Sequence, residues 1–106
     1  ARHEITADPE AMVAAAAFAV RNRGTVVCIY PAERLATITA ALLKKRLVPK
    51  RIQPVYSYPE DDRARLVMIE ARKNGGEGLH LLPPLYIYRF PDGPYSQEVE
   101  AMYGKE

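Results

Sequence analysis

Tryptophan is absent from the 106 residues and cysteine occurs once, as Cys28. A single thiol rules out an intrachain disulfide framework and is compatible with a reducing compartment, so a cytoplasmic setting is expected. Long hydrophobic runs are lacking too. The longest, Ala11 to Val20, has ten residues and is mostly alanine, well short of the roughly 20 that span a bilayer. No signal peptide is read ahead of it, and no membrane partner is expected. Neither sign of charge dominates: fifteen Lys and Arg against thirteen Asp and Glu leave +2, so any nucleic-acid contact must be local. One Cys and two distant His supply no metal-ligand spacing. No linker, repeat or low-complexity tract divides the chain, and residues 1–106 are expected to form a single α/β domain.

The elements follow from their punctuation. Asp8-Pro9-Glu10 announces a helix, because Asp accepts orphan amide protons, Pro suits the first turn and Glu favours the positive dipole end. That helix carries Met12, Val13, Ala16, Phe18 and Val20, and is expected to stop at Arg21-Asn22-Arg23-Gly24, with cations in its last turn and Gly24 as the left-handed residue. Thr25 to Tyr30 is β-branched and apolar without alternation, which predicts a central strand buried on both faces. Pro31 opens a second helix, with Leu35, Ile38, Leu42 and Leu43 at helical spacing, that stops near Arg46.

Arg51 to Tyr58 and Ala64 to Lys73 flank the acidic turn Pro59-Glu60-Asp61-Asp62-Arg63 and should pair as an antiparallel hairpin. Pro54 lacks an amide proton and assigns the first of these strands to a sheet edge, whereas Leu66-Val67-Met68-Ile69 is apolar enough for the interior. The Leu66 strand is therefore expected between the Val26 and Val55 strands. After the turn Asn74-Gly75-Gly76, extended chain runs from Leu81 to Tyr88, and a short C-terminal helix is expected from Ser96.

This arrangement leaves the Val26 strand with one neighbour. A bare apolar edge invites pairing, so either the N-terminal segment covers it, or it pairs with a second copy through residues 25–30, or the chain is part of a larger fold. At least a dimer is expected.

Several stretches resemble a known family, and they run over essentially the whole chain: Ala1-Arg2-His3-Glu4-Ile5-Thr6, Glu33-Arg34-Leu35, Leu47-Val48-Pro49-Lys50-Arg51-Ile52, Leu66-Val67-Met68-Ile69-Glu70 with Gly75-Gly76, Gly78-Leu79, Pro83-Pro84-Leu85, Tyr88, Tyr95-Ser96, Glu98-Val99 and Tyr103-Gly104. Together they resemble the C-terminal half of a class I S-adenosylmethionine-dependent methyltransferase, of the group that methylates adenine N6 in a valine tRNA beside the anticodon. The resemblance implies a Rossmann-like α/β sheet of which this chain supplies helix, strand and helix, then an antiparallel hairpin: strands five, six and seven, with the seventh inserted beside the fifth. It implies S-adenosylmethionine for the complete enzyme, and tRNA or a separate N-terminal half as partners.

The family's glycine-rich cofactor loop, its acidic ribose ligand and its Asn-Pro-Pro-aromatic motif have no counterpart here. Gly75, Gly76 and Gly78 follow a strand without opening a helix. No catalytic residue is therefore assigned, and no cofactor is expected to bind this chain alone. Tyr30-Pro31-Ala32 stands where the family commonly has His-Arg-Pro, and Arg65 where Asn is usual, which bears on substrate identity more than on fold.

The densest basic cluster, Lys44, Lys45, Arg46, Lys50 and Arg51, is the candidate for RNA phosphates, although cations also finish a helix favourably. By resemblance, Arg2, His3 and Glu4 are candidates for the base pocket; a frayed surface pair is the plainer reading. Tyr56, Tyr58, Tyr86 and Tyr88 have the chemistry to stack bases, but alternating tyrosines in strands are more often packing residues. Cys28 reads as a small core hydrophobe, His80 has no acid directly beside it in sequence, and Glu70 in an apolar strand calls for an ion pair. The expected role is the C-terminal portion of an RNA (adenine-N6) methyltransferase that does not catalyse alone. The alternatives are a truncated oligomerisation or RNA-binding module, and a half-enzyme that needs a separate cofactor-binding chain.

Overall fold

The computed structural model describes residues 8–88; Arg2, His3 and Glu4 and the expected helix from Ser96 lie outside them. Helix α1 spans Pro9–Ala19, and the Asp8 carboxylate accepts from the amides of Glu10 at 3.1 Å and Ala11 at 3.2 Å. Only one flank of α1 is used: Val13 and Ala17 are buried, whereas Phe18, expected among its apolar residues, is 92% exposed. The helix end differs from expectation as well. Arg23, with φ of 69°, takes the left-handed conformation in place of Gly24. Gly24 is required for space, since a Cβ there would lie 2.7 Å from Val20 Cγ2 and 2.9 Å from the Arg21 carbonyl. The last turn holds no cation of its own. Instead the Lys73 ammonium donates to the carbonyls of Ala17 at 2.8 Å and Val20 at 3.4 Å, satisfying orphan acceptors from the far side of the sequence.

Strand β1 spans Thr25–Pro31, a single 3₁₀ turn covers Ala32–Arg34, and α2 spans Leu35–Lys44. Ile38, Ala41 and Leu42 face the core, and Leu43, expected with them, is exposed. The chain reverses at Arg46, whose φ is 63°. Strand β2, Leu47–Tyr56, begins earlier than the Arg51 expected, and β3 spans Leu66–Lys73. Two short strands follow, β4 at His80–Leu81 and β5 at Leu85–Tyr86.

The sheet order is β1-β3-β2-β4, with β5 also on β2. β3 therefore lies between β1 and β2, as expected, and is antiparallel to both, while β4 and β5 run parallel to β2. The edge position inferred for β2 is corrected by β4 and β5. The carbonyls of Ile52 and Tyr56 accept from Leu82 and Ile87, both at 2.9 Å, so by alternation the amide-less nitrogen of Pro54 points the same way. It falls in the gap between the two short strands, where Pro83 and Pro84 likewise offer no protons. The proline without an amide proton therefore marks a break in the second ladder rather than an edge.

Both helices cover one face of the sheet, packing on Tyr30, Leu47, Ile52, Val67, Ile69 and Ala71. The opposite face bears a small cluster, Val55 and Leu85 with Leu66 and Ile87. Elsewhere on that face Val27 is 57% and Ile29 49% exposed. The expectation of a β1 buried on both faces is thus corrected: β1 alternates between covered and open positions, and it is the outer strand of the described sheet.

Candidate functional site

The five basic candidates do not form one patch. Lys44 pairs with Glu10 at 3.7 Å across an open groove of about 300 Å³ between the start of α1 and the end of α2. Both side chains are 68% exposed, so the pair contributes little. Lys45 and Arg46 continue the exposed end of α2. Lys50 reaches the other way and donates to the Gly76 carbonyl at 2.7 Å and the Glu77 carbonyl at 3.4 Å. Arg51 points to the face opposite the helices, where it meets Glu70 at 3.4 Å; this is the ion pair that a carboxylate in an apolar strand requires.

A second constellation lies at the carboxyl ends of the parallel strands. The register sets Tyr56 beside Tyr86, with ring centroids 5.7 Å apart. Beyond them Tyr58 and Tyr88 stack at 5.2 Å with planes 26° apart. The strand ends are held by Ile87 N–H to Tyr56 O at 2.9 Å and Tyr88 N–H to Ser57 O at 2.8 Å. Tyr58 N–H also donates to the Asp61 carboxylate at 3.0 Å, and Asp61 N–H returns to Tyr58 O at 3.1 Å, which closes the turn. At the end of β1 Tyr30 is wholly buried with Arg34 above its ring at 5.5 Å. Its hydroxyl has no hydrogen-bond partner among the described residues, a costly state for a buried phenol.

The glycine segment is not built for a nucleotide-like cofactor. It runs from β3 into β4 rather than into a helix, Gly78 has φ of 123°, and the carbonyls of Gly76 and Glu77 turn toward Lys50. Oxygen atoms facing a lysine do not present the row of amides that an anionic or ribose-bearing group needs. This segment does not fit S-adenosylmethionine. Nor is any group of three or more His, Cys, Asp or Glu among the described residues placed to hold a metal. His80 is exposed and in register with Arg51. Cys28 is half-buried, and desolvation raises its thiol above the ordinary value, which disfavours the reactive thiolate. Among the described residues no helix is long and apolar enough to cross a membrane.

Asn74, read from sequence only as part of a turn, joins three segments. Its φ is 58°; its N–H donates to Arg46 O at 2.8 Å, its carbonyl accepts from Arg23 Nη1 at 3.0 Å, and its side-chain amide donates to Asn22 at 2.6 Å. Asn tolerates the left-handed region better than most residues, and that was the available signal.

No protein-family profile matches the chain, and no curated protein does. A solved structure does: a predicted O-methyltransferase from Agrobacterium tumefaciens superimposes with a TM-score of 0.77 at 20% identity, covering 89% of this chain and 44% of that one. The described domain thus has a methyltransferase-like α/β fold, in which the antiparallel β3 between β1 and β2 matches the strand order expected for the last three strands. The chain spans 44% of the length of that structure.

Proposed function

We propose that this chain is the C-terminal portion of an S-adenosylmethionine-dependent RNA (adenine-N6) methyltransferase, and that it does not transfer methyl groups alone. The observation that carries this reading is the uncovered strand β1, with Val27 and Ile29 bare on one face and no strand beyond its outer edge among the described residues, in a chain spanning 44% of the matched structure. An apolar face and a free edge together suit a sheet that continues into further polypeptide. The adenine-N6 assignment rests on the sequence resemblance, which spans Leu47 to Ile52 and Leu66 to Glu70 among other stretches. In-line methyl transfer needs a held cofactor and a positioned nucleophile, and the described residues provide a wall and a scaffold for those groups. Calorimetric titration of this chain with S-adenosylmethionine should give no binding heat, and micromolar binding would overturn the reading. Translation of the DNA upstream of the Ala1 codon tests it independently: an in-frame glycine-rich loop and Asn-Pro-Pro-aromatic motif are expected.

The same free edge favours a second reading, a homodimer through residues 25–30. In that case Val27→Pro should convert a dimer to a folded monomer in sedimentation, and a surviving dimer excludes this edge. For RNA, reversing Lys44 and Lys45 to Glu should weaken binding and flatten its salt dependence. An unchanged slope leaves both residues as the charged end of α2.

A further inference from the structure

We propose that the end of the sheet where β1 and β2 begin carries a docking patch for the phosphates of a folded RNA, made of Arg21, Arg23, Lys45, Arg46 and Arg72. Three loops assemble it: the one from α1 into β1, the one from α2 into β2, and the one that leaves β3. Backbone bonds hold these loops together. Arg23 N–H donates to Lys73 O at 3.0 Å and Lys73 N–H to Gly24 O at 2.9 Å, while Asn74 is bonded to Arg46, Arg23 and Asn22. Each of the five cations therefore belongs to this junction or stands next to a residue of it, and Arg23 and Arg46 are the left-handed corners of their loops. Positions fixed in advance lower the ordering cost of binding.

All five residues are exposed. The side chains of Arg21, Lys45, Arg46 and Arg72 make no hydrogen bond or ion pair among the described residues, and Arg23 commits one donor to the Asn74 carbonyl. The other cations nearby are occupied: Lys73 with the end of α1, Lys44 with Glu10 and Lys50 with the Gly76 carbonyl. Among the described residues Glu77 is the one carboxylate in the three loops. Residues 1–7 hold one Arg and one Glu, so they add no acidic excess. Tyr88 lies beyond the carboxyl end of β5, at the opposite end of the sheet.

Four of the five are arginines, whose planar forks bind phosphate oxygens bidentately. Cations spread over three loops match a chain of phosphates better than one small anion, and such contacts supply position without reading sequence. β1 has seven residues, so at about 3.3 Å each the patch lies roughly 20 Å from the carboxyl ends of the parallel strands, where open α/β sheets bind small ligands. A folded RNA is large enough to reach both ends, and a free nucleoside is not. The proposal thus rests on the RNA reading above and names the surface that grips the RNA away from the reacting base.

The test titrates a fluorescein-labelled RNA stem-loop with the chain and follows its anisotropy across a salt series. Saturable binding that weakens steeply with salt is expected. Arg21→Gln with Arg72→Gln removes two cations whose side chains hold no other part of the fold, and should weaken binding about tenfold and lower the salt slope by about two. Arg63→Gln with Arg65→Gln removes the same charge at the other end of the sheet and should leave affinity and slope nearly unchanged. Unaltered binding by the Arg21 and Arg72 variant, equal loss in the two double variants, or no binding of the stem-loop by the unaltered chain overturns the proposal. Equal or tighter capture by vesicles of phosphatidylserine and phosphatidylcholine overturns RNA as the partner. Should the Arg21 and Arg72 variant unfold by circular dichroism, amide shifts on adding the stem-loop to the unaltered chain decide: shifts at residues 21–24, 45–46 and 72–75 support the patch, and shifts confined elsewhere overturn it. Cofactor titration and the upstream sequence test the methyltransferase reading without these residues. A failed patch therefore leaves that reading standing, and its failure leaves stem-loop binding to be measured.

Discussion

Tyr30 and Lys73 show how single side chains set the stability of this domain. The Tyr30 hydroxyl is buried and unbonded among the described residues, so Tyr30→Phe removes a desolvated donor while keeping the ring that Arg34 covers. The variant should be more stable by about 1 kcal/mol in urea unfolding; a loss of stability would show that the hydroxyl has a partner. Lys73 acts in the opposite direction. Its ammonium closes the carbonyl end of α1, and Lys73→Met, which keeps most of the stem, should destabilise the chain by about 1 to 2 kcal/mol. Loss of α1 helicity by circular dichroism should accompany it. Neither role was legible in the sequence, because each depends on a contact between residues far apart along the chain.

At the scale of elements, much of the fold was legible where one residue type dictates one geometry. Asp8 and Pro9 announced α1, and the two apolar runs around the acidic turn announced the hairpin, since a cap and a turn are local decisions. Legibility failed where partners are distant. Pro54 pointed to a sheet edge that β4 and β5 cover, because nothing local showed that two short strands would flank the gap at its missing amide proton. Arg23 takes the left-handed conformation expected of Gly24, while the approach of Val20 is what requires residue 24 to lack a Cβ. The basic run read as one patch came apart because β2 begins at Leu47 and sends Lys50 and Arg51 to other neighbours. The tyrosines were noticed, yet their pairing needed the parallel register of β2 and β5. Asn74 gives the element-scale prediction: Asn74→Ala loses the Asn22 bond and strains a left-handed residue, and should cost about 1 to 2 kcal/mol. Asn74→Gly, which relieves the strain, should recover part of it in the same unfolding experiment.

For the whole molecule the governing feature is asymmetry between the faces of the sheet. The helices cover one, and Val27 and Ile29 are open to water on the other. In this chain the double variant Val27→Thr, Ile29→Thr should reduce the emission of a bound hydrophobic dye while changing stability by less than about 1 kcal/mol, because threonine retains strand preference and little burial is lost. A larger loss of stability would show that this face is already covered.

The central position of β3 also orders events in time. It is paired along nearly its whole length on both sides, to β1 and to β2, whereas β2 has only the short strands β4 and β5 on its other side, so the amides of β3 should be the last to exchange with deuterium. β1 can detach from its one neighbour among the described residues while the β2–β3 hairpin persists. During folding the hairpin, closed by a short turn, should form before the longer connection through α2 brings β1 onto it, so the strand with the open edge is the last to join the sheet.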